Sequence, residues 1–305
     1  MTKHRIRQEL TILDGGMGRE ILRMGAPFGQ PEWSALCLMK TPHLVKRAHE
    51  SFAQAGCHVL TTSNYAVVPF HIGKDRFDNE GTGLTRLAGQ LAREVAAVHD
   101  CRVAGSIPPL YGSYRPDLFN PEGAQLPLQK ITAALEPFVD FWLGETISSI
   151  AEVEVIAKAL PKDNRERWYS FTLQDGLVDL VHGGCLRSGE LIKDGVAAAV
   201  DHGASAVLFN CSQPEVMAPA VETAVQQAQK LGAKLRVGVY ANAFPPMPKD
   251  SQANSSLSEI RDDLDPNGYL QFAGAWKDLG ATIIGGCCGI GPEHIKLLRQ
   301  NLVST

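Results

Sequence analysis

The sequence predicts a (β/α)₈ barrel. Eight short apolar or β-branched runs each give way to a helical pattern. The chain, at 305 residues, exceeds the roughly 250 that such a barrel typically needs, leaving room for long loops. No internal repeat, low-complexity stretch or composition shift marks a boundary, so residues 1–305 are expected to form one domain. A doubly wound open sheet shares the same alternation and is the structural alternative.

The strands are expected at 10–16 (LTILDGG), 58–65 (HVLTTSNY), 101–107 (CRVAGSI) and 139–146 (VDFWLGET). Four more follow at 168–173 (WYSFTL), 205–211 (SAVLFNC), 234–242 (KLRVGVYAN) and 281–288 (ATIIGGCC). Helical patterns between them include TPHLVKRAHESFAQAG, GLTRLAGQLAREVAAVH and EVMAPAVETAVQQAQKLG, the last stopping on Gly232. The final segment, GPEHIKLLRQNLV, carries Pro292 where a first helical turn accepts it. Two Pro-rich connections, 108–127 and 243–266, each follow a strand. In a barrel both lie on the C-terminal face, where long loops serve as lids or binding walls.

Composition narrows the function. An apolar fraction of 44%, a charged fraction of 20% and a net charge of −4 describe an ordinary globular chain. That charge gives no long-range attraction to nucleic acid or to an anionic membrane. The start, MTKHRIRQEL, lacks a signal-peptide core, and no apolar run approaches a membrane span. Seven irregularly spaced cysteines argue against a secreted disulfide framework and for a cytoplasmic protein with reduced thiols. Oligomeric state is not legible.

The strand ends carry the polar chemistry: Asp14; Thr62, Asn64 and Tyr65; Ser106; Glu145; Thr172; Asn210 and Cys211; Asn242; and Cys287 with Cys288. A barrel gathers such positions at one mouth. Adjacent residues in a regular strand face opposite ways, but a glycine-relaxed strand end lets Cys287 and Cys288 turn together. With Cys211 they would make a three-thiolate site that leaves zinc one open position. Buried inert cysteines, or a vicinal disulfide acting as a redox switch, are the other readings of the same spacing. Cys37, Cys57, Cys101 and Cys185 read as core residues. No C-x-x-C supports a zinc ribbon or thioredoxin motif, and no histidine shows paired-ligand spacing.

LDGGMG (13–18) is not a nucleotide fingerprint, since position 21 is Ile. Gly15 and Gly16 are expected to make a tight turn that leaves the Asp14 carboxylate exposed at the rim. Glu145, after an apolar run, is expected deep in the mouth. Either acid alone could be an ordinary capping or salt-bridged carboxylate. Together, beside thiolates, they suit a ligand bearing a thiol and an ammonium group. Trp33 and Tyr65 are candidate aromatic walls for a sulfonium or quaternary ammonium, although plain core or loop packing is the more ordinary reading of the residues alone.

LDGGMGRE, FNCS (209–212) and GGCCGIGPEHI resemble the homocysteine S-methyltransferase family, as do PEWSALCL, LTTSNYAV, AGSIPPLYGSYRPD and SFTLQDG. The resemblance runs in order over essentially the whole chain. It implies a zinc-dependent barrel that methylates L-homocysteine to methionine, with Cys211, Cys287 and Cys288 as zinc ligands. Asp14 and Glu145 match the acids that hold the homocysteine amino group; Asn210 precedes the first ligand, and Tyr65 matches a donor-side tyrosine. Two segments depart from the family pattern: HGGCLRSG from His182, covering Gly183 and Gly184, and the loop 106–117. These bear on the methyl donor and leave the cysteines untouched.

A free thiol has a pKa near 8.5 and reacts as the thiolate, which zinc would preserve at neutral pH. Asp-x-His-x-x-G is absent, so no corrinoid is expected. The donor should be a free small molecule, S-methylmethionine or S-adenosylmethionine first and betaine second. A non-catalytic zinc-binding or thiol-sensing barrel is the rival from another class.

Overall fold

A computed structural model describes residues 9–27, 29, 31–175, 184–246 and 259–303. His182, Gly183 and residues 247–258 of the second long connection lie outside the described residues. The strands are β1 (Thr11–Ile12), β2 (Val59–Thr61), β3 (Arg102–Ile107), β4 (Phe141–Ile147), β5 (Arg167–Phe171), β6 (Ala206–Asn210), β7 (Arg236–Tyr240) and β8 (Ile283–Ile284). They form one eight-stranded sheet in the order β1-β8-β7-β6-β5-β4-β3-β2, every pair parallel. A parallel bridge between Leu13 and Val59 joins the two ends, and the His58 amide donates to the Ile12 carbonyl at 2.7 Å. Sequential neighbours all the way round make a closed barrel, since a doubly wound sheet reverses its strand order at a switch point.

The ladders are shorter than the sequence suggested, most of all at β1 and β8, which keep two residues each. Their glycine-rich C-terminal ends have left the sheet, and the one after β8 forms a turn at Cys288 and Gly289. The helices agree more closely: Pro42–Gln54, Thr82–His99, Met217–Leu231 and Pro292–Leu302 occupy the periodic segments. Gly232 closes the third of these in the left-handed region at φ 64°. The connection expected at 108–127 is a shorter loop than predicted, because a helix already runs from Pro121 to Leu135. Asn120 caps it by accepting from the Gly123 amide, and Pro121 fits a first turn whose amide needs no partner. Among the described residues no helix is long and apolar enough to cross a membrane.

Alternation along the strands separates two cores. Leu13, Leu143, Leu208 and Ile283 point into the barrel with Phe141 and Trp168, whose rings lie 4.1 Å apart. Trp142, Tyr169, Val207 and Phe209 point outward against the helices. The N-terminal end of the barrel is plugged by charge on aromatic faces. The Arg102 guanidinium sits 4.5 Å from the Phe141 ring and pairs with Glu166 at 2.6 Å. Glu166 in turn accepts from the Trp168 indole at 2.9 Å. With that end filled, access lies at the C-terminal mouth.

The mouth is drawn tight by glycines. The Gly16 amide donates to the Ile290 carbonyl at 2.9 Å and the Gly286 amide to the Asp14 carbonyl at 3.1 Å, locking the loop after β1 onto the loop after β8. A methyl at Gly16 would stand 2.5 Å from the Cys287 carbonyl oxygen, and one at Gly285 2.5 Å from Leu13 Cβ. Gly15→Ala would press a methyl into the Ile290 carbonyl oxygen and within 2.7 Å of the Phe52 ring. It should cost about 1–3 kcal/mol of stability, as overpacking does. Urea unfolding checks this; an unchanged midpoint would show that the two loops are not rigidly joined.

Candidate metal centre and substrate pocket

Cys211, Cys287 and Cys288 converge at this mouth. Cys211 follows β6 in the left-handed region, φ 51°, which turns its side chain off the strand. Cys287 and Cys288 occupy a β-turn closed by the Ile290 amide on the Cys287 carbonyl at 3.0 Å. Gly289, at φ 87°, supplies the positive φ that a type II turn requires at its third residue. Neighbouring cysteines therefore face one point because they have left the strand.

The Cys211 and Cys288 sulfurs are 3.9 Å apart and those of Cys287 and Cys288 4.0 Å, with all three within 4.8 Å of one another. Zinc–sulfur bonds of about 2.3 Å at tetrahedral angles separate sulfurs by about 3.8 Å. Neither pair is bonded as a disulfide, and all seven cysteines are free thiols. The donor set and spacing fit Zn²⁺ with a fourth position open. Hydrogen bonds from Cys211 and Cys287 hold the Cys288 thiol well below its ordinary range.

A cavity of about 320 Å³ opens beside the sulfurs. Asp14 lines it but is buried, not exposed at the rim. The reason is that Gly15 and Gly16 keep negative φ and serve close packing, so the chain carries Asp14 inward. Its Oδ2 accepts from the Thr61 amide at 2.7 Å and its Oδ1 from the Thr61 hydroxyl at 3.1 Å. Burial raises its pKa to about 8 despite those bonds. Glu145 lines the same cavity and is half-buried, accepting from Ser106 Oγ at 2.5 Å and from the Tyr240 hydroxyl at 3.4 Å. Burial raises it to about 7. Among the described residues neither acid has a cationic partner within an ion pair, so the cavity presents a place for one.

Glu145 reaches the cavity through a bulge in β4, where the register shifts between Gly144 and Ile147 and Thr146 takes φ 53°. Asn210 holds that bulge. Its Oδ1 accepts from the Thr146 amide at 3.1 Å and the Ser170 hydroxyl at 2.8 Å, and its Nδ2 donates to Thr146 Oγ1 at 2.9 Å. Asn210 thus braces the wall of the cavity that it also lines, and Ser106 stands behind Glu145. Tyr65 and Trp33 do line the cavity, edge to face at 6.1 Å, and Tyr65 bonds Ser113 at 2.6 Å.

Tyr114 and Tyr240 escaped the sequence reading. Tyr114, at φ 66°, donates its hydroxyl to the Cys211 carbonyl at 3.1 Å from a loop nearly 100 residues away. Strain is the signal that picks it out. Five non-glycine residues among those described have positive φ, and four of them, Trp33, Tyr114, Thr146 and Cys211, line this cavity. Each such residue costs on the order of 1–3 kcal/mol and persists only where surrounding structure enforces it.

The family model described as Homocysteine S-methyltransferase matches residues 11–302. The chain is 28% identical to homocysteine S-methyltransferase 1 of Brassica oleracea var. italica, covering 95% of this chain and 93% of that protein. It is 24% identical to a selenocysteine methyltransferase of Astragalus bisulcatus, covering 96% and 92%. Its fold is similar to the metallated crystal structure of the homocysteine methyltransferase MmuM from Escherichia coli, with a TM-score of 0.74 and 26% identity over 96% of both chains.

Two outcomes follow from this geometry. Cys211→Ala, Cys287→Ala and Cys288→Ala should each abolish stoichiometric zinc binding after dialysis, because a three-thiolate site loses a third of its ligands. Zinc analysis checks it; a variant retaining one zinc per chain removes that cysteine from the site. The second concerns pH. An unfolded Asp14 releases its proton near 3.8 and the folded one only near 8, so in the metal-free protein its ionisation should erode stability as pH rises through that window. The urea midpoint of Asp14→Asn should therefore fall less than the wild type's between about pH 5 and about pH 8. Parallel profiles would show that burial does not perturb this carboxyl.

Proposed function

The chain belongs to the homocysteine S-methyltransferase family, and we propose that it transfers a methyl group from a small cationic donor to L-homocysteine, giving methionine. The observation that carries this reading is the pairing, in one cavity, of a three-thiol cluster with a buried and a half-buried carboxylate, Asp14 and Glu145, that lack a cationic partner among the described residues. Homocysteine bears the two complementary groups, a thiol and an ammonium.

Cys211, Cys287 and Cys288 would hold Zn²⁺, which supplies a Lewis-acid position that keeps the acceptor sulfur deprotonated at neutral pH. Three cysteinates offset the ion's charge, leaving a bound sulfur electron-rich. Asp14 and Glu145 receive the ammonium in charge-assisted hydrogen bonds and fix the acceptor's orientation. Thr61, Ser106 and Tyr240 hold those carboxylates in place. The methyl carbon gains a bond to the homocysteine sulfur as its bond to the donor breaks, and the electron pair leaves with the donor's heteroatom. Proximity within a cavity shielded from water supplies much of the rate.

A sulfonium donor is favoured, S-methylmethionine or S-adenosylmethionine ahead of betaine. Expelling a neutral thioether is easier than expelling an amine from a quaternary ammonium. Trp33 and Tyr65 line the cavity, and their aromatic faces would attract the donor cation, worth roughly 0.5–2 kcal/mol. The free thiols throughout the chain fit a cytoplasmic setting.

A competition assay tests the reading. Zinc-loaded protein, homocysteine and equal amounts of S-methylmethionine, S-adenosylmethionine and betaine should yield methionine with a sulfonium consumed first. Preferential loss of betaine would reverse the donor order. Consumption of none would favour a zinc-binding barrel that performs no transfer.

A further inference from the structure

The sequence departs from the family pattern in the loop 106–117 and in HGGCLRSG from His182. Sequence alone assigns both to the methyl donor, yet each supplies a side chain to one chain of contacts that ends on Cys211. From the first comes Tyr114, whose hydroxyl donates to the Cys211 carbonyl at 3.1 Å. From the second comes Arg187, whose guanidinium carbon stands 5.3 Å from the centroid of the Tyr114 ring, within cation–π range. Arg187 also pairs with Asp175 at 3.9 Å, and both side chains are buried. Asp175 Oδ1 in turn accepts from the Gln213 amide at 3.1 Å, two residues beyond Cys211.

These contacts close a ring from Cys211 through Tyr114, Arg187 and Asp175 to Gln213, and back along the backbone. Ser212, between the two ends, accepts on its Oγ from the Leu173 amide at 2.8 Å. The Arg187 amide donates to the Thr172 carbonyl at 2.9 Å, which fixes Arg187 to the same strand end. Three consecutive residues after β6 are thus held from outside. Cys211 needs such holding, because at φ 51° a residue with a side chain persists only where its surroundings enforce it. Released, it would relax toward an extended conformation and carry its sulfur away from Cys287 and Cys288. Of the three bracing side chains only Tyr114 lines the cavity. Arg187 and Asp175 can therefore act on the metal centre only through their neighbours.

We propose that Tyr114 and Arg187 are positioning residues for the metal centre. Arg187, anchored by Asp175, seats the Tyr114 ring, and Tyr114 fixes the Cys211 peptide so that its thiolate reaches the zinc. This rests on the zinc site and not on the transfer reaction, and its test measures metal alone. Zinc affinity is read by competition with a chromophoric chelator, beside the urea midpoint of the metal-free protein.

Tyr114→Phe, which removes only the hydroxyl, should weaken zinc binding roughly 10- to 100-fold, the usual effect of losing an outer partner of a ligand. Arg187→Met should weaken it to a similar degree. Arg187→Lys, which keeps a cation over the ring, should recover most of that loss. Tyr114→Phe/Arg187→Met should lose little more than either single variant, since both act through one bond. If Arg187→Met fails to fold with Asp175 unpaired, Asp175→Asn/Arg187→Met removes both charges and keeps an acceptor for the Gln213 amide. Wild-type zinc affinity in Tyr114→Phe, with or without a lowered urea midpoint, overturns the proposal, because the hydroxyl would then serve packing alone. Wild-type affinity in Arg187→Met, or losses that simply add in the double variant, overturns the part given to Arg187. A wild-type protein that binds no zinc overturns the site and the proposal together. Zinc weakened as expected, in a protein that transfers no methyl group, refutes the transferase reading and leaves the positioning role standing.

Discussion

Three sulfur atoms from the ends of two strands meet at spacings of 3.9 and 4.0 Å, and most of the unusual backbone in this protein exists to hold them there. Cys211 takes a left-handed conformation, and Cys287 and Cys288 sit in a turn completed by Gly289. That turn fits against the chain after β1 only because Gly15, Gly16, Gly285 and Gly286 have no side chains to obstruct it. Tyr114 ties a distant loop to the Cys211 carbonyl. The same brace extends to the substrate side: Asn210, next to Cys211 in sequence, pins the β4 bulge that aims Glu145. The thiol cluster and the proposed ammonium site are thus set by one connected piece of structure.

Electrostatics gives this arrangement its selectivity. Two carboxyls buried without a cation are raised to about 8 and about 7, so the empty cavity resists their ionisation. In the proposed function, an incoming ammonium would supply the missing charge and restore the ionised form. Zinc answers the complementary need among the thiols. The site is costly to build and gains its charge balance from the molecules it is meant to hold, as functional sites with perturbed groups do.

Much of this was legible in the sequence, for identifiable reasons. The eight strands were readable because buried parallel strands are apolar runs and their helices keep a 3.6-residue period. The cysteines stood out because each ends a strand, where a barrel directs its chemistry. The depth of Asp14 was misread because a Gly-Gly pair was taken for a turn, whereas both glycines serve close approach at negative φ. Asn210 and Ser106 were placed at the right strand ends, yet only the three-dimensional hydrogen-bond network shows that they position neighbours. The strain at Trp33, Thr146 and Tyr114 has no signature in residue identity.

X-ray absorption at the zinc edge tests the central claim most directly. Zinc-loaded protein without substrate should show three sulfur neighbours at about 2.3 Å and one lighter atom, and addition of homocysteine should raise the sulfur count to four at the same distance. A sulfur count that stays at three on saturation with homocysteine would contradict the account, because the open position would then not be where the acceptor's thiol is held.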